Sequence, residues 1–500
     1  MTDHYGALGL TKQQRLASGN MCSRLFVEAG PGTGKTTVSA HRFGVHRYEL
    51  SALSDPRPVV AVSFTRAATL NLTRRVQRLW GPQAVIWPHR IVTLDTLMCD
   101  LLHDLLRVGI LRWPNGHTEL RIEDSWSSFS SSTWNRTKYG FKIDRGQVEI
   151  YNYFVPNSRS SVPATTSVPL LEKGICTHQD VREVLQIAIS NSIIASYVGK
   201  RLGRMMRALI VDEVFDANDL DIAIIEMAVG ANISVTLVGD PWQALYVFRG
   251  ARPQAIPLLL KRQNFRTLPL TQSFRWQHQN QERLADDLRS GRAVTLPILN
   301  HQADLAGLDV VLALRWKSLW KIGPGVFPLA FGAFKGGYEE AAATLLLNHA
   351  TRSIFSLDAT YINDALTALA IADREIPRKI EPQMQEITET LRNGDKKKVK
   401  VAYDQLANLV SAISPRRLRP AHHAHTSRLE FIQKCLAYPG RPIPGLTTHQ
   451  SKGGEWGAVG IWLTSEERNI LASGLSADRD VDRKLYVACT RARRLTVEVT

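Results

Sequence analysis

The sequence predicts an α/β fold in which helices flank parallel sheets, and it predicts more than one domain. Short apolar segments that read as buried strands, at residues 25–27, 59–65, 208–211 and 233–239, recur along the chain with helical patterns between them. This alternation is typical of parallel sheets. The chain has 500 residues, which is more than one hydrophobic core accommodates. We therefore expect at least two domains.

Residues 25–37 read as a strand, a glycine-rich loop and the start of a helix. The loop fits the P-loop pattern G-x-x-x-x-G-K-[ST], except that Ala29 fills the first glycine position. Backbone N–H groups of such a loop surround phosphate oxygens, and the helix N-terminus adds positive potential. Lys35 is expected to reach the β- and γ-phosphates of ATP, and the Thr36 hydroxyl to bind Mg²⁺. The predicted nucleotide-binding residues of the loop are Gly30, Pro31, Gly32, Thr33, Gly34, Lys35, Thr36 and Thr37.

Composition narrows the class of partner. The net charge is +16 and the pI is about 9.7, which favours a polyanion, although solubility or an acidic protein partner would also explain it. The sequence has no run of 18 apolar residues, so no membrane span is expected. It has no secretory signal either, so a cytoplasmic location is expected. The five cysteines are scattered without a C-x-x-C pair, which argues against zinc and against a disulfide framework.

Two carboxylates follow the apolar strand at residues 208–211. Ligands of α/β sheets bind at the carboxyl ends of strands. We expect Asp212 to hold Mg²⁺ through water and Glu213 to polarise the attacking water; an exposed acidic strand end is the alternative.

Two further segments are compatible with ligands. Phe64, Thr65 and Arg66 end the strand at residues 59–65, where they suit the phosphates and one stacked base of a single strand. A plain β–α unit with a core Phe explains them equally well. Gln14 lies about a dozen residues before the P-loop strand, and its amide could contact adenine, although glutamine is common on surface helices.

Two stretches read as inserted subdomains. Residues 124–134 are rich in Ser and Trp, and residues 141–154 alternate around Asp-Arg-Gly like a hairpin. Their aromatic residues could stack bases, but an ordinary small core is the simpler interpretation. Residues 348–438 are mainly helical in pattern, and their lysine run at 396–400 could contact duplex phosphates or be a solvated helix end.

Eight segments in order resemble the motifs of superfamily 1 helicases of the UvrD type (the UvrD, PcrA and Rep group). They are residues 10–15 for the Q motif, 30–36 for motif I, 63–66 for Ia, 212–216 for II, 239–251 for III, 270–275 for IV, 447–456 for V and 485–492 for VI. Eight motifs in family order are far more specific than any one alone.

The resemblance implies two RecA-like P-loop NTPase lobes, each with an inserted smaller subdomain. The first lobe is expected at residues 1–112 and 180–265, with an insertion at 113–179. The second lobe is expected at residues 266–347 and 439–500, with a small helical insertion at 348–438.

The resemblance also implies roles for individual residues. Gln14 would contact adenine, Phe274 would stack on it and Glu455 would meet the ribose. Gln243 would sense the γ-phosphate, while Arg275 and Arg491 would stabilise its charge from the second lobe. The residues expected to contact DNA are Phe64, Thr65, Arg66, Tyr246, Phe248, Arg249 and His449.

Three positions depart from the family pattern. Phe215 stands where Gln is usual, which predicts weaker coupling between the ATP and DNA sites. Asp95 stands where His is often found, which makes a DNA contact there doubtful. Gly454 replaces the usual Leu, which predicts a local packing change only.

The function implied by the resemblance is an ATP- and Mg²⁺-dependent motor. It would move on single-stranded DNA with 3′-to-5′ polarity and unwind duplex at single-strand–duplex junctions, in DNA repair or phage defence. The chain ends just past motif VI, so any nuclease is expected on a separate polypeptide, as in compact UvrD-like helicases of anti-phage systems such as Gabija. The alternative is a nucleotide-gated DNA sensor or scaffold that regulates a partner nuclease with little unwinding.

Overall fold

A computed structural model describes residues 9–50, 54–124, 126, 136–156, 164–299, 302–392 and 396–500. Its strands are β1 (Arg24–Ala29), β2 (Val59–Ser63), β3 (Arg90–Thr93), β4 (Arg121–Glu123), β5 (Thr137–Asp144), β6 (Gln147–Phe154), β7 (Ile175–Thr177), β8 (Ala208–Val211), β9 (Ser234–Gly239), β10 (Arg266–Leu270), β11 (Ile298–Leu299), β12 (Val310–Ala313), β13 (Val326–Pro328), β14 (Ile443–Thr447), β15 (Trp456–Trp462) and β16 (Ala492–Val499).

The α-helices flank these strands. They are α1 (Lys12–Gly19), α2 (Lys35–Tyr48), α3 (Arg66–Trp80), α4 (Leu94–Arg107), α5 (Ala164–Glu172), α6 (His178–Ala188), α7 (Ser192–Met205), α8 (Asp219–Gly230), α9 (Ala255–Arg262), α10 (Gln279–Arg289), α11 (Trp316–Ile322), α12 (Tyr338–Phe355), α13 (Ile362–Ala368), α14 (Ile376–Lys379), α15 (Glu381–Arg392), α16 (Lys396–Ile413), α17 (His423–Leu436), α18 (Ser465–Ser473) and α19 (Asp480–Cys489).

Two six-stranded parallel sheets organise the chain and confirm the predicted α/β fold class. The first sheet has the order β10-β1-β9-β8-β2-β3, and the second has the order β11-β16-β15-β12-β14-β13. The central strands β8 and β12 are buried along their whole length, as expected for strands covered by helices on both faces. We call the units built on these sheets the first and second lobes.

The strand β10 lies in the first sheet, so the predicted start of the second lobe at residue 266 is one strand too early. It pairs in parallel with β1, with Ala29 opposite Leu270. Four of its five residues are exposed or half-buried. This edge position explains why the segment lacks the apolar run that identified the buried strands, and an edge strand also tolerates Pro269.

The helical insertion has its own core, which begins before the predicted boundary at residue 348. That boundary falls within α12, whose residues Ala341 to Ala350 pack with α13, α15, α16 and α17. Strand β13, which pairs with β14 in the second sheet, and helix α12 therefore belong in part to different cores. Lys397 and Lys398 of the lysine run lie on the exposed side of α16, and Val399 is buried.

The first insertion contains the predicted hairpin. Strands β5 and β6 pair antiparallel, and Arg145 and Gly146 at the turn have φ of 47° and 80°, as a tight hairpin turn requires. Phe141 of β5 is buried in the core of the first lobe, in accord with a packing role. Of the Ser- and Trp-rich segment, residues 125 and 127–134 lie outside the described residues. Across the described part of the chain, no helix is long and apolar enough to span a membrane.

Candidate nucleotide cleft and nucleic-acid surface

The P-loop joins β1 to α2, and the start of α2 lacks a side-chain cap. Its N-cap Gly34 has a φ of 88°, and no side chain accepts from the first-turn N–H groups. Uncapped N–H groups at a helix start suit an anion. The Lys35 Nζ donates to the Ala29 carbonyl at 3.2 Å and lies 3.8 Å from the Glu213 carboxylate.

A cleft of about 570 Å³ opens between the lobes above this loop. The predicted nucleotide-site residues that line it are Gln14, Gly30, Gly32, Gly34, Lys35, Thr36, Thr37, Glu213, Gln243, Phe274, Arg275, Glu455 and Arg491. Pro31 and Thr33 face an adjacent hollow on the other side of the loop. Segments more than 450 residues apart in the sequence therefore share one cavity.

Gln14 ties α1 to the P-loop. Its side-chain oxygen accepts from the Thr11 N–H at 3.0 Å in a capping box, and its Nε2 donates to the Thr33 carbonyl at 2.9 Å. One amide hydrogen remains for the expected contact with adenine.

The two carboxylates after β8 have different environments. Asp212 is buried, and its Oδ1 has no hydrogen-bond partner. Burial, followed by the nearby Glu213 charge, raises the pKa of Asp212. Burial would also raise the pKa of Glu213, but the Lys452 and Lys35 ammonium groups outweigh it and lower that pKa. Glu213 is thus held ionised, whereas the ionised form of Asp212 would be stabilised by a cation that binds next to it.

The second lobe brings two arginines to the cleft. Arg275 donates to Glu455 Oε1 at 2.8 and 3.0 Å and to the Thr490 carbonyl at 2.7 Å. Arg491 is buried and donates to the Val487 carbonyl at 3.0 Å, but its Nη2 has no hydrogen-bond partner. Burial and the neighbouring Arg275 lower the pKa of Arg491 to about 9. Glu455, expected at a ribose, holds Arg275 in this structure.

The segment 273–275 packs directly on the P-loop. Phe274 N–H donates to the Gly32 carbonyl at 2.9 Å, and the Ser273 hydroxyl donates to the Pro31 carbonyl at 2.8 Å. A side chain at Gly32 would lie 2.6 Å from Cβ of Arg275. Glycine at this position therefore permits the close approach of the two lobes.

An aromatic cluster lies next to the cleft and contains four of the residues expected at DNA. The rings of Phe248 and His449 are 5.1 Å apart, and those of Tyr246 and Phe248 are 6.0 Å apart. The Arg249 guanidinium lies 5.3 Å from the Tyr246 ring centre. Phe248 is 65% exposed, so this cluster presents an aromatic and cationic face to solvent. Burial lowers the pKa of His449, which leaves the ring neutral at pH 7.

The other three residues expected at DNA lie at the end of β2. Thr65 caps α3 by accepting from the Ala68 N–H at 3.1 Å, and Phe64 packs against the first-lobe core. The Arg66 guanidinium forms a 2.6 Å ion pair with Asp124 of the first insertion. Phe64 thus has the packing role that the alternative interpretation described, and the expected contact with DNA stays a prediction.

Comparisons with known proteins point to one family. A family model described as an AAA domain (AAA_19) matches residues 13–249. DNA helicase II of Escherichia coli (strain K12) is 24% identical over 271 residues, which are 50% of this chain and 36% of that protein. The putative ATP-dependent DNA helicase YjcD of Bacillus subtilis (strain 168) is 24% identical over 340 residues, 61% of this chain and 43% of that protein. These similarities support the resemblance of the chain to superfamily 1 helicases.

The chain spans about two fifths of the length of the curated relatives it matches. Among solved structures, unliganded Pif1 from Bacteroides sp aligns with 98% of this chain and 92% of that chain, at 11% identity and a TM-score of 0.36. A TM-score this low supports no inference about this chain.

Lys452 was not predicted as a site residue, yet it connects several parts of the cleft. Its Nζ forms a short hydrogen bond with Asp216, lies 3.5 Å from Glu213 and donates to the Gln243 carbonyl at 3.0 Å. It also lies 5.3 Å from the centre of the Tyr246 ring. The residue stands within the segment that resembles motif V, which was the available signal.

Arg75 was also missed. It lines the cleft from α3, and its Nη1 donates to the Thr37 hydroxyl in a short hydrogen bond. The available signal was the basic character of α3, the helix that follows β2.

The three departures from the superfamily 1 pattern have local partners. Phe215 is buried and meets Phe26 edge-on at a ring distance of 6.1 Å, so it fills the core. Asp95 pairs with Arg182 at 2.6 Å. A side chain at Gly454 would lie 2.4 Å from the Trp456 ring, so the small residue accommodates the indole.

Proposed function

We propose that this chain is an ATP-driven motor that moves on single-stranded DNA and separates duplex at single-strand–duplex junctions. The observation that carries the proposal is the position of Lys452. This one ammonium lies 3.5 Å from Glu213 in the cleft and 5.3 Å from the ring of Tyr246 in the aromatic cluster. A strand bound at the cluster and a nucleotide in the cleft would thus act on the same charged group.

The residues at the cleft fit a nucleotide bound with Mg²⁺. Mg²⁺ keeps several waters and is usually held by one or two carboxylates together with substrate phosphates. Asp212, with its unpartnered Oδ1, and the Thr36 hydroxyl supply such a donor set. The described residues contain no cluster of three or more metal-ligating side chains, in keeping with a metal held mainly by phosphate and water. When bound, the ion would neutralise charge on the β- and γ-phosphate oxygens.

The other side chains of the cleft have separate roles in the proposed hydrolysis. Lys35 would exchange the Ala29 carbonyl for phosphate oxygens. Glu213, kept ionised by its two lysine neighbours, would orient and polarise the attacking water. Gln243 would contact the γ-phosphate, and Arg275 and Arg491 would stabilise the charge that develops on it. Because both arginines come from the second lobe, hydrolysis would require the lobes to close.

The aromatic cluster suits a motor because bases of any sequence stack on aromatic rings. The Tyr246 ring of the first lobe lies 6.0 Å from the Phe248 ring and 6.4 Å from the His449 ring of the second lobe, and the Arg249 guanidinium lies 5.6 Å from the Phe248 ring centre. Lobe movements would therefore change this surface. On the family resemblance we extend the proposal to 3′-to-5′ movement and to a role in DNA repair or phage defence.

Steady-state ATP turnover with and without single-stranded DNA at low salt tests the proposal. We expect the wild-type chain to be stimulated by DNA, and Lys35→Ala and Glu213→Gln each to abolish turnover. Lys379→Ala, which changes an exposed lysine paired with Asp373 on the helical insertion, is the control and should behave as wild type. Absence of stimulation in the wild-type chain would contradict the motor.

Strand displacement on 3′- and 5′-tailed duplexes tests the unwinding step and its polarity. We expect displacement of the 3′-tailed substrate. ATP turnover without displacement, together with a stably co-purifying nuclease, would instead identify a nucleotide-gated DNA sensor that regulates that partner.

A further inference from the structure

Residues 240–245 of the first lobe are held by four side chains of the second lobe. Three of these bond backbone carbonyls: Lys452 to Gln243 at 3.0 Å, Arg483 to Ala244 at 2.8 Å and His449 to Leu245 at 3.2 Å. The fourth, Arg289, bonds a carboxylate. Its role does not follow from any motif identified above.

Arg289 is the last residue of α10 and reaches across to Asp240. Its Nη1 lies 3.1 and 3.2 Å from the two Asp240 oxygens and 3.4 Å from the Tyr486 hydroxyl. Asp240 is 0% exposed. The same carboxylate accepts from the Trp242 N–H at 3.2 Å and from Gln243 Nε2 at 2.8 Å. Asp240 thus links a second-lobe cation to the amide of Gln243.

The location of Arg289 argues against a purely packing role. Its side chain is 31% exposed and lines a hollow of about 400 Å³ beside the P-loop. Its Nη1 is 3.6 Å from the position that a Cβ on Gly30 would occupy. The guanidinium is therefore reachable by solvent on one side and adjacent to the phosphate-binding loop on the other.

Asp240 depends on the Arg289 cation because the Asp240 carboxylate is buried. A carboxylate taken out of water needs a cation and hydrogen bonds to stay ionised. If the lobes separated, Asp240 would lose Arg289 and would become exposed to water. Water would then compete for the carboxylate oxygen that holds the Gln243 amide, so the orientation of that amide depends on lobe closure.

We propose that Arg289 is a positioning residue that couples lobe closure to the orientation of Gln243 through Asp240. This inference rests on the proposed function, which assigns Gln243 to the γ-phosphate. With Arg289 in place, Asp240 fixes one amide hydrogen of Gln243, and the other hydrogen and the carbonyl remain available to the phosphate and the attacking water. The coupling acts on the hydrolysis step rather than on nucleotide binding.

The kinetic test compares Arg289→Gln, Arg289→Lys and the control Arg292→Gln. Arg292 lies just beyond α10, is 63% exposed and pairs with Asp287. We expect Arg289→Gln to lower the DNA-stimulated kcat about tenfold or more, as for loss of a hydrogen bond to a charged group, with the KM for ATP within about twofold of wild type. Arg289→Lys should recover part of the rate, and Arg292→Gln should match wild type. An unchanged kcat, or a rise in KM alone, would overturn the inference.

A distance measurement separates failure of this inference from failure of the proposed function. Spin labels on Leu79→Cys in the first lobe and Ser473→Cys in the second, in a Cys22→Ser background, report the interlobe distance without any need for turnover. Arg289→Gln should lengthen or broaden the distance distribution, and Arg292→Gln should not. If Arg289→Gln does not fold, the neutral pair Asp240→Asn/Arg289→Gln replaces it in both assays.

The two measurements are interpreted together. A wild-type chain without DNA-stimulated turnover, in which Arg289→Gln still alters the distance, would refute the motor and retain the interlobe link. Distances and kcat that are both unaffected by Arg289→Gln would refute the link and leave the motor intact.

Discussion

Replacing Lys452 with Met removes the ammonium that joins the two lobes at the cleft. The side chain is 13% exposed, and its partner Asp216 is 2% exposed. Burial opposes the charge, but Asp216 and Glu213 outweigh it and raise the pKa of Lys452. Lys452 is therefore charged throughout the physiological range, and its removal leaves the buried Asp216 and the half-buried Glu213 with less compensation.

The magnitude follows from these contacts. At the 3.5 Å separation of Lys452 Nζ and Glu213, two unit charges attract by about 5 kcal/mol at an effective dielectric constant of about 20. Desolvation offsets much of this attraction, so the relevant quantity is the cost of removing one partner of a buried pair, about 3–5 kcal/mol. We expect Lys452→Met to lower the free energy of unfolding by about 3 kcal/mol.

Urea unfolding followed by tryptophan fluorescence measures this change, with the first transition reporting contacts between lobes. Lys484→Met is the matched control, because Lys484 pairs with the partly exposed Asp480 one helical turn away and should lose only about 0.5 kcal/mol. Adding Asp216→Asn to Lys452→Met should recover about half of the loss, since one buried charge is removed. A loss no greater than that of Lys484→Met would refute the reasoning.

The remaining predictions concern residues at or near the cleft. Phe215→Gln should lower the free energy of unfolding by about 3 kcal/mol, since it buries an amide and removes the contact with Phe26; an equally stable variant with higher DNA-stimulated turnover would contradict this packing role. Gly454→Leu should cost about 1–3 kcal/mol because of the Trp456 ring, and Trp456→Val in the same chain should recover stability. Asp212→Asn should raise the melting temperature of the nucleotide-free protein at pH 8 while abolishing turnover. The raised pKa of Asp212 means that the ionised form destabilises the fold above that pKa and that this cost fades as the pH falls through it; a lower melting temperature at pH 8 would contradict it.

Parts of the cleft whose structure is determined by residues adjacent in the sequence could be predicted from local patterns. The glycine loop with Lys35 and the apolar strand before Asp212 are each readable within about a dozen residues, because a strand, a turn and a helix start have short-range signatures. The hairpin turn at Gly146 is readable for the same reason.

Features that depend on tertiary contacts were not readable from residue patterns. Lys452 and Asp216 are separated by 236 positions, and nothing in either local sequence indicates the other. The family resemblance predicted the two arginines of the second lobe. It did not predict the packing partners of Phe215 and Gly454, because these residues depart from the family pattern. The edge strand β10 was assigned to the wrong lobe because edge strands lack a continuous apolar run.

The central claim is that the nucleotide site is divided between the lobes, and Arg491→Ala tests it most directly. ATP turnover is measured with saturating single-stranded DNA, and binding of a fluorescent ATP analogue is measured on the same protein. The account predicts that Arg491→Ala lowers stimulated turnover by about 10³-fold, as for loss of an arginine that stabilises phosphoryl-transfer charge, with analogue affinity within a fewfold of wild type. Turnover near the wild-type rate in Arg491→Ala would contradict a divided site.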